Sequence, residues 1–122
     1  MKLFEFPVVA TDALTGGTAI VDVTTLQDMV VTATTFAMSG NGWTLTFTFD
    51  GTDAAEKLLN AQKMQDYFQA IIVPYLGDRL NFKEFNTIYK VWDGLTIAEI
   101  HTETGIVETA SANTALITLA IS

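Results

Sequence analysis

The sequence predicts an α+β fold: mainly antiparallel β, about seven or eight strands, packed against one central amphipathic α-helix near residues 53–72. Three observations predict it. Runs rich in Thr, Val, Ile and Phe alternate apolar with polar residues along most of the chain, which is the two-residue period of a half-buried strand. Asn41-Gly42 and Asp93-Gly94 punctuate such runs; these dipeptides signal type I′ hairpin turns, which need positive φ at both central positions. One stretch, from Asp53 onward, repeats apolar residues at helical spacing. Strands and helices do not alternate as they would in a doubly wound parallel sheet, and 122 residues fit a single domain, residues 1–122.

Residues 3–9, LFEFPVV, alternate around Phe4, Phe6 and Val8. They suit an edge strand, because Pro7 cannot donate to a ladder. Residues 10–17, ATDALTGG, read as a loop, 18–23 as a strand, and 24–28, TTLQD, as a helical turn or bend. The β-branched run 29–38, MVVTATTFAM, predicts one long strand. After the turn at 39–42, the next strand puts Trp43, Leu45, Phe47 and Phe49 on one face and Thr44, Thr46, Thr48 and Asp50 on the other. Its apolar face demands a cover, and the following helix supplies one. Asp53 is the expected N-cap, with Glu56 completing an acidic variant of the capping box. Pro74 should end or kink the helix, with Gly77 a second stop. Residues 78–85 are ambiguous between a short helix and a loop. Strands are then expected at 87–92, 95–101, 106–110 and 114–122, with turns at Asp93-Gly94 and at 102–105.

Composition narrows the chemistry. The absence of cysteine excludes disulfides, thiolate metal sites and a cysteine nucleophile. A formal charge of −8 argues against nucleic acid and anionic membranes as partners. The charge is uneven: residues 1–56 carry Lys2 against seven acids, 57–90 carry five basic groups against three acids, and 91–122 carry four acids with no Lys or Arg. No apolar run reaches the roughly 18 residues of a membrane span, and Glu5 and Pro7 break any signal-peptide core. The pairing of 49% hydrophobic with 16% charged residues stands out, since ordinary domains carry about 25% charged residues. The apolar excess must enter a core, subunit interfaces, or both. In a small domain, with its large surface-to-volume ratio, interfaces carry much of the weight.

Little in the chain reads as catalysis. Asp50, Asp53 and Glu56 lack an EF-hand pattern and suit the positive end of a helix instead. If 95–103 is a strand, Glu99, His101 and Glu103 share one face, and a His between two carboxylates is the nearest approach to a divalent-metal set. The bland reading of the three is the solvated side of a hairpin. His101 is the only histidine, and no GxSxG surrounds Ser39, Ser111 or Ser122. Gly16-Gly17 lacks the rest of a phosphate-binding or dinucleotide fingerprint. The expectation is therefore a protein that is not an enzyme and holds no cofactor. Interface candidates are Phe4, Phe6, Trp43 and Trp92, with Ile117, Leu119 and Ile121 of the C-terminal strand; each could equally be core.

The stretches MKLFEFPVV, AIVDVTTLQDMVVTATTFAMSGNGWTLTF and DAAEKLLNAQ together resemble small virion structural proteins of tailed bacteriophages, particularly marine and cyanophage types. The resemblance extends to about residue 75 and ends before Asn81. It implies a non-enzymatic particle protein, made in the host cytoplasm and located in the virion, without direct nucleic-acid contact. The most favoured role is a homo-oligomeric capsid decoration or cement protein whose partners are its own copies and other virion proteins such as a major capsid protein. A tail, neck or fibre component is the alternative within that class. Outside it stands a cytosolic module binding a small ligand or another protein, which should show an apolar cavity under the helix.

Overall fold

The computed structural model describes residues 2–10, 13–49, 54–77, 87–106 and 117–121, and within them the fold is α+β, with seven strands in two mostly antiparallel sheets and two α-helices. The smaller sheet has the order β2-β1-β6, formed by β1 (Lys2–Ala10), β2 (Ala13–Asp22) and β6 (Thr87–Lys90). The larger has the order β3-β4-β5-β7, formed by β3 (Asp28–Val31), β4 (Thr35–Gly40), β5 (Trp43–Phe49) and β7 (Ile117–Ile121).

Strand β1 is central rather than an edge. It pairs antiparallel with β2, and its residues Lys2–Glu5 pair in parallel with β6. The rule about proline still holds locally, because Pro7 lies beyond the last β6 partner. The stretch 13–17, expected to be loop, belongs to β2, where Gly16 at φ 83° sits in an irregularity between the pairs Pro7↔Thr18 and Val9↔Leu14. Two extra residues on the β2 side are thereby absorbed, as a bulge allows. The expected helical turn is a 3₁₀ segment, Val23–Thr25, capped by the Asp22 carboxylate, which accepts from Thr24 N at 3.0 Å.

The single strand expected over 29–38 is instead a hairpin, β3 and β4. Threonine makes its turn without Gly or Pro: Thr32 N donates to Thr35 O at 2.8 Å, and Thr35 N donates back to Thr32 Oγ1 at 3.1 Å. A side-chain oxygen imitating a backbone acceptor is how Thr competes with a continuing ladder. The β4–β5 hairpin forms where Asn-Gly predicts it, with Gly40 opposite Trp43. Its turn differs from expectation. Gly42 has φ 81° while Asn41 is not in the positive-φ region, the sign pattern of a type II turn. The Trp43 indole folds back on this corner, donating from Nε1 to Thr25 Oγ1 at 2.9 Å, and Asn41 N donates to the same oxygen at 3.3 Å. A Cβ at Gly40 would fall 2.5 Å from Trp43 Nε1 and 2.7 Å from Thr25 Oγ1, so glycine is required there for close approach.

Helix α1 (Ala54–Gly77) runs through Pro74 instead of ending before it. Proline costs the Ala70 carbonyl its helical partner. The last turn is held from outside: Tyr75 Oη donates to Leu3 O at 3.2 Å, and Lys2 Nζ donates to Tyr75 O. The Tyr75 ring also lies 5.4 Å from Phe4 and 5.6 Å from Tyr89. Glu56 occupies the first turn as expected, whereas Asp53, its expected cap partner, lies outside the described residues.

The helix covers the inner face of the large sheet, against β3, β4 and β5. Ala61, Met64, Phe68 and Ile72 form its buried stripe. On β5, Trp43, Leu45, Phe47 and Phe49 are buried, and the threonines between them are half-buried or exposed. Phe4 and Phe6 of β1 enter the same cluster, so both sheets share one core. Phe68→Ala should destabilise the fold by about 3–5 kcal/mol, measured by denaturant unfolding. Gly40→Ala should cost roughly 1–3 kcal/mol by overpacking the Trp43–Thr25 corner; an unchanged midpoint would show that the corner can relax.

Candidate functional site

The segment expected to present a metal set is not a strand. Ile97–Thr104 forms helix α2. Thr96 is its N-cap: Thr96 Oγ1 accepts from Glu99 N at 3.2 Å, and Glu99 Oε1 accepts from Thr96 N at 3.1 Å, a complete capping box. Gly105 closes the other end at φ 76°, its N–H donating to His101 O at 3.0 Å. On a helix, residues two apart project about 200° from each other, so Glu99 and His101 no longer share a face. Glu99 is an exposed cap, His101 is buried at 3% exposure, and Glu103 reaches toward α1. Among the described residues, no group of three or more His, Asp or Glu converges on a common point.

The turn leading into α2 is likewise not a hairpin. Leu95 N donates to Trp92 O at 3.1 Å, with Gly94 at φ 74°. Trp92 itself adopts φ 57°, a conformation that is an outlier for a bulky residue and costs on the order of 1–3 kcal/mol. Core packing holds it there: its ring lies 6.0 Å from Phe47, 5.8 Å from Phe68 and 6.3 Å from Phe6.

Trp92 illustrates the fate of the interface candidates. Phe4 and Phe6 are fully buried, and Trp43, Trp92 and Leu119 are buried at 8%, 5% and 4% exposure within this one subunit. They are core, used up internally. Ile117 and Ile121 lie on β7 at register positions opposite Phe49 and Leu45, and their side chains are outside the described residues.

Surfaces open to a partner include the outer faces of the two sheets and the outer side of α1, where Leu58, Leu59, Val73 and Leu76 are exposed. On the small sheet, the register aligns Asp22–Leu3–Ile88 and Ile20–Glu5–Lys90 in two rows. Ile20 and Ile88 are each 51% exposed. Glu5 and Lys90 stand side by side, an opposite-charge pairing that favours their register. Beside these rows, a shallow groove of about 190 Å³ runs between the sheet and the 92–95 turn, lined by Pro7, Leu14, Thr18, Lys90, Asp93 and Leu95 among others. On the large sheet, Val30, Ala37, Thr46 and Ala120 are register partners in one row across all four strands. Sequence reasoning passed over Ile20, Ile88 and Val30. For Ile20 the signal available was its parity, opposite to the buried Ala19 and Val21 of the same strand.

A polar contact joins α1 to α2. Tyr67 Oη donates to Glu103 Oε1 at 3.4 Å. Burial, and secondarily the Glu103 carboxylate, push the Tyr67 phenol up to about 12. The buried Trp92 indole N–H makes no hydrogen bond of good geometry, yet it lies near enough to the Tyr67 oxygen to oppose that shift.

No family model, curated protein or solved structure gave a significant match to this chain.

The Tyr67 shift has a defined consequence for stability. A phenol whose folded value is raised binds its proton more tightly when folded. Its stabilising contribution is therefore complete below pH 10, the ordinary phenol value, and is lost as pH rises toward about 12. Ultraviolet difference titration should show a phenolate step near pH 12 that moves down in Glu103→Gln. No movement would mean that burial alone sets it.

Proposed function

We propose that this chain is a non-enzymatic structural protein that works by assembly, as a decoration or cement protein on a phage capsid. The observation that carries the reading is the pair of outer sheet faces. One exposes Ile20 and Ile88 beside Asp22, Glu5 and Lys90, and the other is built mainly from Thr, Ala, Ser and Val, on a chain with a formal charge of −8. Burying exposed apolar area on assembly yields about 25 cal/mol per Å². Many modest contacts then add through avidity in a repeated array. The remaining acidic surface keeps the assembly soluble.

The resemblance of the N-terminal stretches to tailed-phage virion proteins supports the same reading, with self and a major capsid protein as partners. A tail, neck or fibre location employs the same faces and differs in copy number. The cytosolic ligand-binding alternative asks for an apolar cavity under the helix, and there the space under α1 is taken by Phe68 stacked on Phe36 at 6.2 Å and tilted on Phe47 at 5.5 Å.

Sedimentation velocity and mass spectrometry of purified particles test the proposal together. Concentration-dependent association, with many chain copies per particle, is the expected result. A salt-independent monomer at high concentration that is also missing from particles would overturn it.

A further inference from the structure

We propose that Asn41 is a modification site. The backbone nitrogen of Gly42 attacks its carboxamide, and the product, an aspartate or isoaspartate, acts as a slow one-way switch on the β4–β5 hairpin. This inference is independent of the assembly role above.

The reaction is intramolecular. The Gly42 nitrogen forms a bond to Asn41 Cγ, the Cγ–Nδ2 bond breaks, and the Gly42 amide proton leaves with Nδ2 as ammonia. The cyclic imide so formed takes up one water. Opening at Cγ gives aspartate. Opening at the main-chain carbonyl carbon of Asn41 gives isoaspartate, in which the chain runs through Cβ and Cγ. Either product adds a carboxylate to a chain of formal charge −8. Asparagine counts among the thermolabile residues, and its lifetime at a given position depends on how readily nitrogen and carbon meet.

Three features of this turn favour the meeting. The first is access, since Asn41 and Gly42 are both exposed. The second is freedom. Among the described residues neither the Asn41 carboxamide nor the Gly42 N–H has a hydrogen-bond partner, and Asn41 is tied down by its backbone N–H, at a long 3.3 Å from Thr25 Oγ1. The third is space. A Cβ built on Gly42 would meet nothing within 4 Å, so the peptide between the two residues can turn without a clash.

That peptide has to turn. A type II arrangement sets ψ of Asn41 near about +120°, which points the Gly42 nitrogen away from the Asn41 side chain. Ring closure needs a ψ of the opposite sign. Glycine after the asparagine makes the rotation easiest, because it populates both signs of φ. Asn60 is the contrasting case: it lies inside α1, is fully buried, and is followed by Ala61.

The effect on the hairpin follows from its corner. A two-residue loop fixes the register of the strands it joins, and Gly40 stands directly opposite Trp43. Isoaspartate inserts one methylene into the main chain of that loop. The corner has no room to absorb it, given that a Cβ at Gly40 would already fall 2.5 Å from Trp43 Nε1 and 2.7 Å from Thr25 Oγ1. The two hydrogen bonds that converge on Thr25 Oγ1, from Trp43 Nε1 and Asn41 N, are the ones lost. Aspartate keeps the length of the main chain and leaves the corner intact.

The experiment is prolonged incubation of the folded wild-type chain in physiological buffer, followed by peptide mapping with electron-transfer fragmentation, which tells aspartate from isoaspartate. Asn41 should gain one mass unit at least ~10-fold faster than Asn60. Asn41→Gln should abolish the gain at this position, because the ring would need an extra member. The isoaspartate form, separated by ion exchange, should unfold at a lower denaturant midpoint than Asn41→Asp, and Asn41→Asp should unfold close to wild type.

If Asn41 stays intact in the folded chain while converting in urea, the turn does not rotate and the site is overturned. Conversion of Asn60 at the same rate overturns it too, since the reaction then runs through global unfolding. An isoaspartate form with the midpoint of Asn41→Asp overturns the switch.

Discussion

A single phenylalanine holds the architecture together. Phe68, midway along α1, is fully buried, and its ring lies within 6.5 Å of six others: Phe4 and Phe6 of β1, Phe36 of β4, Phe47 of β5, its neighbour Tyr67, and Trp92. The two sheets exchange no ladder hydrogen bonds among the described strands. What joins them is this cluster, together with the close approach of β1 to β7. Aromatic pairs of this kind contribute roughly 0.5–1.5 kcal/mol each beyond the area they bury. The unfavourable φ of Trp92 and the passage of α1 through Pro74 are local costs borne by the same packing.

That concentration of rings inside the molecule determines what is left outside. Because Phe4, Phe6, Trp43 and Trp92 are spent in the core, no large aromatic patch remains on either outer sheet face to anchor a tight partner. The outward residues are branched and short: Ile20 and Ile88 on one sheet, Val30, Thr46 and Thr48 on the other. Such surfaces give broad, shallow contacts. They suit a component whose binding is multiplied by repetition better than one that must hold a single ligand. The apolar excess in the composition is thus divided: aromatics fill the core, and small and branched residues face outward.

How much of this could be read from the residues varied with the strength of the local signal. The β5 alternation was unambiguous, since four large apolar residues at strict two-residue spacing allow one orientation only. Helix α1 was equally plain; it passes Pro74, the first expected stop, and reaches Gly77, the second, because the tethers from Lys2 and Leu3 to Tyr75 are tertiary and invisible to a rule about Pro74. The break between β3 and β4 was hidden because Thr32 and Thr35 build a turn from residues that otherwise favour strands. Helix α2 was misread as a strand, although Thr96, Glu99 and Gly105 spelled out its capping box and its C-terminal stop. The alternation of Leu95 and Ile97 competed with those caps, and the metal set disappeared with the strand. Sorting core from surface aromatics lay beyond any one-dimensional pattern, because Phe68 meets its partners across more than sixty residues of chain.

Native-state hydrogen exchange in low denaturant measures the central claim most directly, because it reports which elements open together. If Phe68 joins the two sheets, the slowest amides of β1, β5 and α1 exchange with one common free energy and one dependence on denaturant. If β1 and β2 open at distinctly lower free energy while β4, β5 and α1 stay protected, the aromatic cluster does not couple the sheets.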